Sequence, residues 1–260
     1  MHPSPAVRAF YEWKARQRWR RYHWLDRYLP AAATLTCPVC GGSHPLAGYS
    51  VKVSECVFGG GPLVRHVCPD CDTIFGTQRM LRMSARALGR EYRELYATYE
   101  EGDSTESEIA SFRLLGLRPG GRYLNYGCGR WSRSIPTLRA EGYDVVGYEP
   151  FSHEGALPEY IMTNESVVGS QRFDGILTHN ILEHVQDPVA FTKQLGSWLK
   201  PGCRLVHATP CYDYAFDFTR FHVVFFPGRS AEVLAARCGM TLGLLEVPVT
   251  GQLARVFNGA

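Results

Sequence analysis

The sequence predicts an α/β protein: a doubly wound, mostly parallel sheet in the C-terminal part, with a small module built on four cysteines in front of it. Three observations predict this. From Arg122 onward, short apolar runs alternate with stretches of helical character, the pattern of parallel strands with helices on both faces. The first run ends in a glycine turn, Gly127-Cys128-Gly129, at the edge where such sheets bind ligands. Two Cys-x-x-Cys pairs, Cys37/Cys40 and Cys68/Cys71, flank a hairpin pattern.

Composition narrows the function classes. The 260 residues carry 28 Lys+Arg against 25 Asp+Glu, and 45% are hydrophobic, enough for a sizeable core. No apolar run approaches the roughly 18 residues that cross a bilayer, and the N-terminal segment is charged where a secretory leader is apolar. The expectation is a cytoplasmic protein with no membrane partner. Nine cysteines, odd in number and unevenly spaced, do not make a secreted disulfide framework. The charge is uneven too: residues 1–30 carry +5, 31–80 zero, 81–110 −3 and 111–260 only +1. So neutral a C-terminal part argues against a long nucleic-acid groove.

These four segments are the expected units. Residues 1–30 form an aromatic and basic helix, since 6–29 lack Gly and Pro and Pro30 ends the run. Phe10, Trp13, Trp24 and Tyr28 are expected to pack one face and leave the arginines in solvent; the alternative is a patch for an anionic surface. Residues 31–80 form a zinc-binding module. Its hairpin, 51–58 and 63–67, turns at Gly59-Gly60-Gly61-Pro62. Each two-residue gap lets two thiolates face one centre, and Cys37, Cys40, Cys68 and Cys71 together complete a tetrahedral four-sulfur shell. With every position taken by sulfur, the zinc is structural. His44 and His66 read as ordinary loop and strand residues. Residues 81–110 give a connecting helix over 84–100 and an exposed acidic loop over 100–108. The sheet domain, 111–260, has strands expected at 123–126, 143–148, 173–178, 203–208, 242–247 and 253–257.

In the turn Asn125-Tyr126-Gly127-Cys128-Gly129, the glycines let a ligand approach the backbone. The second strand ends in Glu149-Pro150, 20 residues after Gly129. A carboxylate there accepts hydrogen bonds from ribose hydroxyls, so a nucleoside-containing cofactor is expected. Ser132 stands where the dinucleotide fingerprint has its third glycine, which speaks against NAD.

The runs LNYGCGRWSRSIPTLRAEGYDVVGYEP and FDGILTHNILEHVQDPVAFTKQLGSWLKPGCRLVHATP resemble the class I S-adenosylmethionine-dependent methyltransferases, in particular the branch that includes ubiquinone-type O-methyltransferases. The resemblance implies a Rossmann-like, mostly parallel sheet of about seven strands and S-adenosylmethionine as cofactor. By its motifs, Gly127 and Gly129 line the methionine part, Glu149 holds the ribose, Asn164 and Glu165 border the adenine, and His179 and Asn180 sit beside the sulfonium. Three positions depart from the pattern: Asn125 for Asp, Trp131 for a small residue, and Cys203 for the second Gly of Lys-Pro-Gly-Gly. The stretch Asn180 to His184, with His222, also resembles part of the metal site of small-RNA 3′-terminal 2′-O-methyltransferases.

Methyl transfer from a sulfonium needs a base only for some acceptors. His222, then His184 and Asp213, are the candidates, because they lie in or beside loops at the carboxyl ends of the strands. The leading expectation is an enzyme for a small-molecule methyl acceptor such as a sugar, polyketide or other secondary metabolite. Its order of a zinc module followed by a methyltransferase sheet resembles deoxysugar C-methyltransferases. An RNA methyltransferase is the second reading, supported by the basic, aromatic N-terminal helix. A non-catalytic zinc-dependent interaction protein with a degenerate cofactor pocket is the third. The aromatic helices complete the acceptor pocket or form a homodimer contact.

Overall fold

The computed structural model describes residues 4–28, 32–99, 102–130, 132–150, 157–243, 247–249 and 252–259. No helix among them is long and apolar enough to cross a membrane.

The first helix, α1 (Pro5–Asp26), starts at Ser4, whose hydroxyl accepts the Val7 N–H. Pro5 fits the first helical position, where no N–H is needed. The end expected at Pro30 lies outside the described residues. Phe10, Trp13, Trp24 and Tyr28 do share a face, but it is the solvent face: they are 56%, 57%, 57% and 72% exposed. The opposite face docks. Trp19 is buried, its indole N–H donates to Glu91 at 2.8 Å, and Arg18 pairs with Glu91 and Glu94. Aromatic spacing does not say which of two aromatic faces finds acceptors, and here the acids on the neighbouring helix decide.

Within the module, β1 (Thr34–Thr36) pairs with β2 (Ser43–Pro45) around the first cysteine turn. Strands β3 (Ser50–Glu55) and β4 (Pro62–Val67) form the expected hairpin, and β5 (Ile74–Phe75) adds to β4. At the hairpin tip Gly60 has φ 108°, and a Cβ there would lie 2.5 Å from that of Trp19. Only glycine combines this backbone with so close a neighbour. The short α2 (Gln78–Leu81) leads to α3 (Ala85–Tyr96), which carries the acids facing α1.

The stretch expected as an exposed acidic loop becomes helical at Thr105, opening α4 (Thr105–Arg113). Glu108 on it is buried, and its carboxylate accepts from Ser104 Oγ (2.6 Å), Asn125 Nδ2 (2.8 Å), Ser132 Oγ (2.8 Å) and Ser134 Oγ (2.6 Å). Composition reads such a run as solvated. Its burial depends on donors from distant elements.

The large sheet follows the expected class: β6 (Arg122–Tyr126), α5 (Ser134–Ala140), β7 (Asp144–Tyr148), β8 (Ile161–Met162), α6 (Glu165–Gly169), β9 (Phe173–His179), α7 (Pro188–Trp198) and β10 (Leu199–Thr209). After β10 come β11 (Val224–Phe225), α8 (Ser230–Arg237), β12 (Thr241–Leu242), β13 (Val247–Val249) and β14 (Gln252–Asn258). The strand order is β12-β14-β10-β9-β6-β7-β8, parallel from β10 to β8, with β14 antiparallel to β10. Side chains alternate between two cores. Leu124, Val146, Ile176 and Leu205 pack with Leu195 and Trp198, while Tyr123, Val145, Leu177 and Val206 pack with Phe112, Ile135 and Leu138. The run expected at 242–247 divides between β12 and β13, with 244–246 outside the described residues. β8, two residues long, left no run to read.

The units do not stay apart. β11, from the C-terminal part, pairs with β5 of the module, giving a second sheet in the order β11-β5-β4-β3.

Candidate functional site

Cys37, Cys40, Cys68 and Cys71 converge, with their sulfurs within 4.8 Å of one another. The closest crosswise pairs are Cys37–Cys71 at 3.7 Å and Cys40–Cys68 at 3.5 Å. A tetrahedral shell with metal–sulfur bonds of about 2.3 Å spaces its sulfurs roughly 3.8 Å apart, so the four side chains have the dimensions of a zinc shell. Both turns are built alike. The Gly41 N–H returns to the Cys37 carbonyl and the Asp72 N–H to that of Cys68, while the Cys37 and Cys68 N–H groups donate to Gly42 and Thr73. Gly41 (φ 79°) and Asp72 (φ 67°) supply the left-handed residue of each. The Gly42 N–H also donates to Cys40 Sγ (3.3 Å), and the Thr73 hydroxyl lies 3.1 Å from Cys71 Sγ. His44 bonds Asp70 instead of joining the cluster.

At the other candidate centre the glycine turn and the second-strand carboxylate meet. The Gly127 and Cys128 N–H groups donate to the Tyr148 carbonyl, and the Gly129 N–H donates to the Glu149 carboxylate at 3.0 Å. Gly127 (φ 75°) lies under Ile181, whose Cδ1 a Cβ would meet at 2.5 Å. Asn125 is buried, with its amide N–H on Glu108. The Tyr126 ring packs on Tyr148, Phe191 and Trp198 and its hydroxyl donates to Glu165 at 2.8 Å, so its side chain belongs to the α7 core. Pro150 follows Glu149 in a bend. The Asn164 side chain caps α6. His179 ends β9, nearly buried, and Asn180 follows with φ 56°. His179 Nε2 and Asn180 Oδ1 have no hydrogen-bond partner among the described residues. Trp131 lies outside those residues.

Beside Asn180 a cavity of about 960 Å³ opens between α1, the hairpin tip, α3 and the loops after β9 and β10. Asn180, Glu183, His184 and His222 line it, as do rings from Tyr11, Tyr96, Phe58 and Phe221. Burial holds His184 down at about 4 and His222 at about 2, so both rings are neutral near pH 7. Their rings meet edge to face, with centroids 4.9 Å apart. His184 Nδ1 faces the Phe221 carbonyl at 2.9 Å; His222 Nδ1 faces that of Phe216 at 3.0 Å and Cys211 Sγ at 3.4 Å. Asp213 is exposed and does not line the cavity. Donor atoms of Glu183, Cys211 and His222 also lie within 4.8 Å of one another. The Cys211 thiol already donates to the Ala215 carbonyl, so this group reads as part of the hydrogen-bonded wall.

Sequence reasoning missed the residue that fixes this wall. Arg65, in β4, is fully buried. Its guanidinium donates to the carbonyls of Asp217 (2.7 Å), Thr219 (2.7 Å) and His222 (3.1 Å), to Ser54 Oγ (3.0 Å) and to Tyr214 Oη (3.4 Å). It also lies 4.9 Å above the Phe225 ring. A lone arginine in an alternating strand carries no signal of this; only its inward register within the hairpin could have pointed to it.

The sheet and the turn above its carboxyl edge define the class of protein. A family model described as "Methyltransferase domain" matches residues 103–241, and the chain belongs to that family. Among solved structures it is similar to the 1,6-didemethyltoxoflavin-N1-methyltransferase of Burkholderia thailandensis, at 15% identity and TM-score 0.47, over 76% of this chain and 96% of that one. It is also similar to the magnesium protoporphyrin IX methyltransferase of Synechocystis, at 16% identity and TM-score 0.42, over 70% of this chain and 89% of that one. No curated protein matches the sequence.

Arg65→Lys keeps the charge but loses the planar fork that reaches several carbonyls at once. Stability to denaturant is expected to fall by about 2 to 4 kcal/mol, and hydrogen exchange at the Val57 and Val223 amides, which anchor the loop, to accelerate. Unchanged stability and exchange would show that the loop is held by other contacts.

Proposed function

We propose that the protein is an S-adenosylmethionine-dependent methyltransferase acting on a small-molecule acceptor, a sugar, polyketide or other secondary metabolite, with a structural zinc ion at Cys37, Cys40, Cys68 and Cys71. The observation that carries this reading is the contact between the glycine turn and Glu149, in a chain of the methyltransferase-domain family. A nucleoside-bearing cofactor requires an open backbone and a ribose-binding carboxylate side by side. S-adenosylmethionine supplies a sulfonium methyl group. Its transfer is an in-line displacement, so the protein's main task is alignment.

In this reading Gly127 and Gly129 give the methionine part room, and Glu149 accepts from the ribose. Asn164, already the α6 cap, and Glu165 border the adenine. His179 and Asn180 bring unmatched polar atoms to the sulfonium side. The acceptor fills the cavity. His222 and His184, neutral and on its wall, offer hydrogen bonds to an acceptor hydroxyl or amine and are the catalytic candidates in that order. Asp213, exposed and off the cavity, has no part in it. The unit that holds the cofactor corresponds to residues 111–260 together with α4, whose Glu108 supports Asn125.

Glu149→Ala is expected to weaken S-adenosylmethionine binding by roughly 1 to 3 kcal/mol through lost ribose hydrogen bonds, read by calorimetry on the zinc-loaded protein. No cofactor binding by the folded wild type would favour a non-catalytic interaction protein, and an unchanged affinity in the variant would mean that another group holds the ribose. Metal analysis should find zinc bound by the four sulfurs, and Cys40→Ser should lower its occupancy and the stability of the module. Full occupancy in that variant would refute the four-cysteine assignment.

A further inference from the structure

Helix α1 has two aromatic faces with different fates. Trp19 and Tyr22 dock on α3 and the hairpin, and Tyr11, Ala15 and Arg18 line the cavity. Opposite Trp19, the side chains of Phe10, Trp13, Trp24 and Tyr28 fall within about 60° of arc at 3.6 residues per turn. All four are more than half exposed. Among the described residues their printed ring contacts are with one another and, for Phe10, with Tyr11 edge to face at 6.0 Å. Phe10 stacks on Trp13 with centroids 6.3 Å apart and planes 28° from parallel, and Trp24 meets Tyr28 at 4.9 Å. Val7, 43% exposed, extends the strip toward the N-terminus. Arg20 and Arg27 border one flank and Arg21 the other; all three are exposed, and none has an ion pair among the described residues.

So many large apolar rings in one exposed strip mark an interaction surface. The arginines set the sign of its partner. The rings set its shape: they lie in two pairs, Phe10 on Trp13 and Trp24 against Tyr28, each ring turned toward its partner, where stacking on nucleotide bases needs ring faces held open. Aromatics along a helix with arginines on both flanks fit a flat, anionic, partly apolar surface. We propose that α1 docks the protein peripherally on a membrane bearing anionic phospholipid headgroups, with Phe10, Trp13, Trp24 and Tyr28 entering the headgroup boundary and Arg20, Arg21 and Arg27 meeting the phosphates. No spanning segment is needed for this. The same helix walls the cavity from its other side, so an acceptor carried in or on the lipid surface would reach the site along α1. That last step rests on the methyltransferase reading; the docking does not.

The test is co-sedimentation of the full, zinc-loaded chain with phosphatidylcholine vesicles, with and without phosphatidylglycerol, in the absence of cofactor. Binding is expected only with phosphatidylglycerol, weakening as salt rises, with a blue shift of tryptophan emission. The Trp13→Ala/Trp24→Ala double variant should lower the partition coefficient more than tenfold. Arg20→Gln/Arg21→Gln/Arg27→Gln should remove most of the salt dependence. All these side chains are exposed, so neither variant should change thermal unfolding or the calorimetric affinity for S-adenosylmethionine. Absence of binding to phosphatidylglycerol vesicles at low salt, or equal binding by wild type and the tryptophan variant, overturns the proposal. So does transfer of the tryptophan effect to another partner, whether single-stranded RNA bound by the wild type alone or a dimer in sedimentation that the variant loses. Loss of cofactor binding in the wild type would count against the proposed function and leave the vesicle result standing.

Discussion

One buried cation ties the chain together. Taking a guanidinium out of water costs several kcal/mol unless its donors are met, and the two terminal nitrogens of Arg65 find acceptors outside its own strand: two side-chain oxygens and three backbone carbonyls of the loop that ends at His222. Those carbonyls in turn take the arginine as donor where the loop turns inward toward Thr219, Arg220 and Phe221, which are buried, while Asp213, Phe216 and Phe218 of the same loop are exposed. The requirement is mutual. Neither the hairpin nor the loop satisfies its polar groups alone, so the cysteine module and the large sheet fold as one body. β11 pairing with β5, and the Arg237 guanidinium on the Val39 carbonyl at 2.8 Å, continue the same seam. The four sulfurs lie at the far end of β4 from the hairpin tip. A metal held there, as proposed above, would tie down the end of the strand that carries Arg65 and so reach the cavity only through that side chain.

A second constraint concerns the acid beside the glycine turn. Where the family pattern has Asp, this chain has Asn125, and a simple reading makes that a defect. The amide N–H instead donates to Glu108, which α4 delivers to the same spot and which Ser132 and Ser134 also address. A carboxylate is still present beside the turn, moved by one side chain from strand to helix, and the serines that follow the turn are bound to it. Two carboxylates at 108 and 125 would repel in a buried site, so the amide at 125 and the acid at 108 are best read as one arrangement.

What was legible in the sequence was local. Cys-x-x-Cys spacing fixes a turn within a few residues, and a glycine turn followed by a carboxylate one strand later fixes a sheet edge. Runs of four to six residues stood out as β6, β7, β9 and β10. What escaped depended on partners far along the chain. Glu108 looked solvated because its donors are at 125, 132 and 134. Arg65 went unread, a lone charge in the short run 63–67 whose backbone acceptors lie 152 to 157 residues further on. β8 and β11 are two residues long and exist only because a neighbour offers an edge. The α1 error is instructive, because the grouping of Phe10, Trp13, Trp24 and Tyr28 on one face was right and its direction was wrong. Periodicity identifies a face; only the acids of α3 say which face is turned inward.

The charges around the cavity restrict what it can hold. Arg18 is matched by Glu91 and Glu94, and Arg16 by Glu12. Arg220, almost fully buried, gives a hydrogen bond to the Gly59 carbonyl at 2.8 Å and lies over the Trp19 ring at 4.8 Å, with burial pulling its pKa down. An acceptor charge that paired with Arg18 or Arg16 would have to displace a carboxylate in a partly closed space, losing an ion pair for each one it gained, whereas Arg220 is held by a carbonyl and by ring faces. A neutral acceptor meets rings from Phe58, Tyr96 and Phe221, two uncharged imidazoles and the free Asn180 oxygen. Those groups present ring faces and uncharged hydrogen-bonding atoms to whatever enters the cavity.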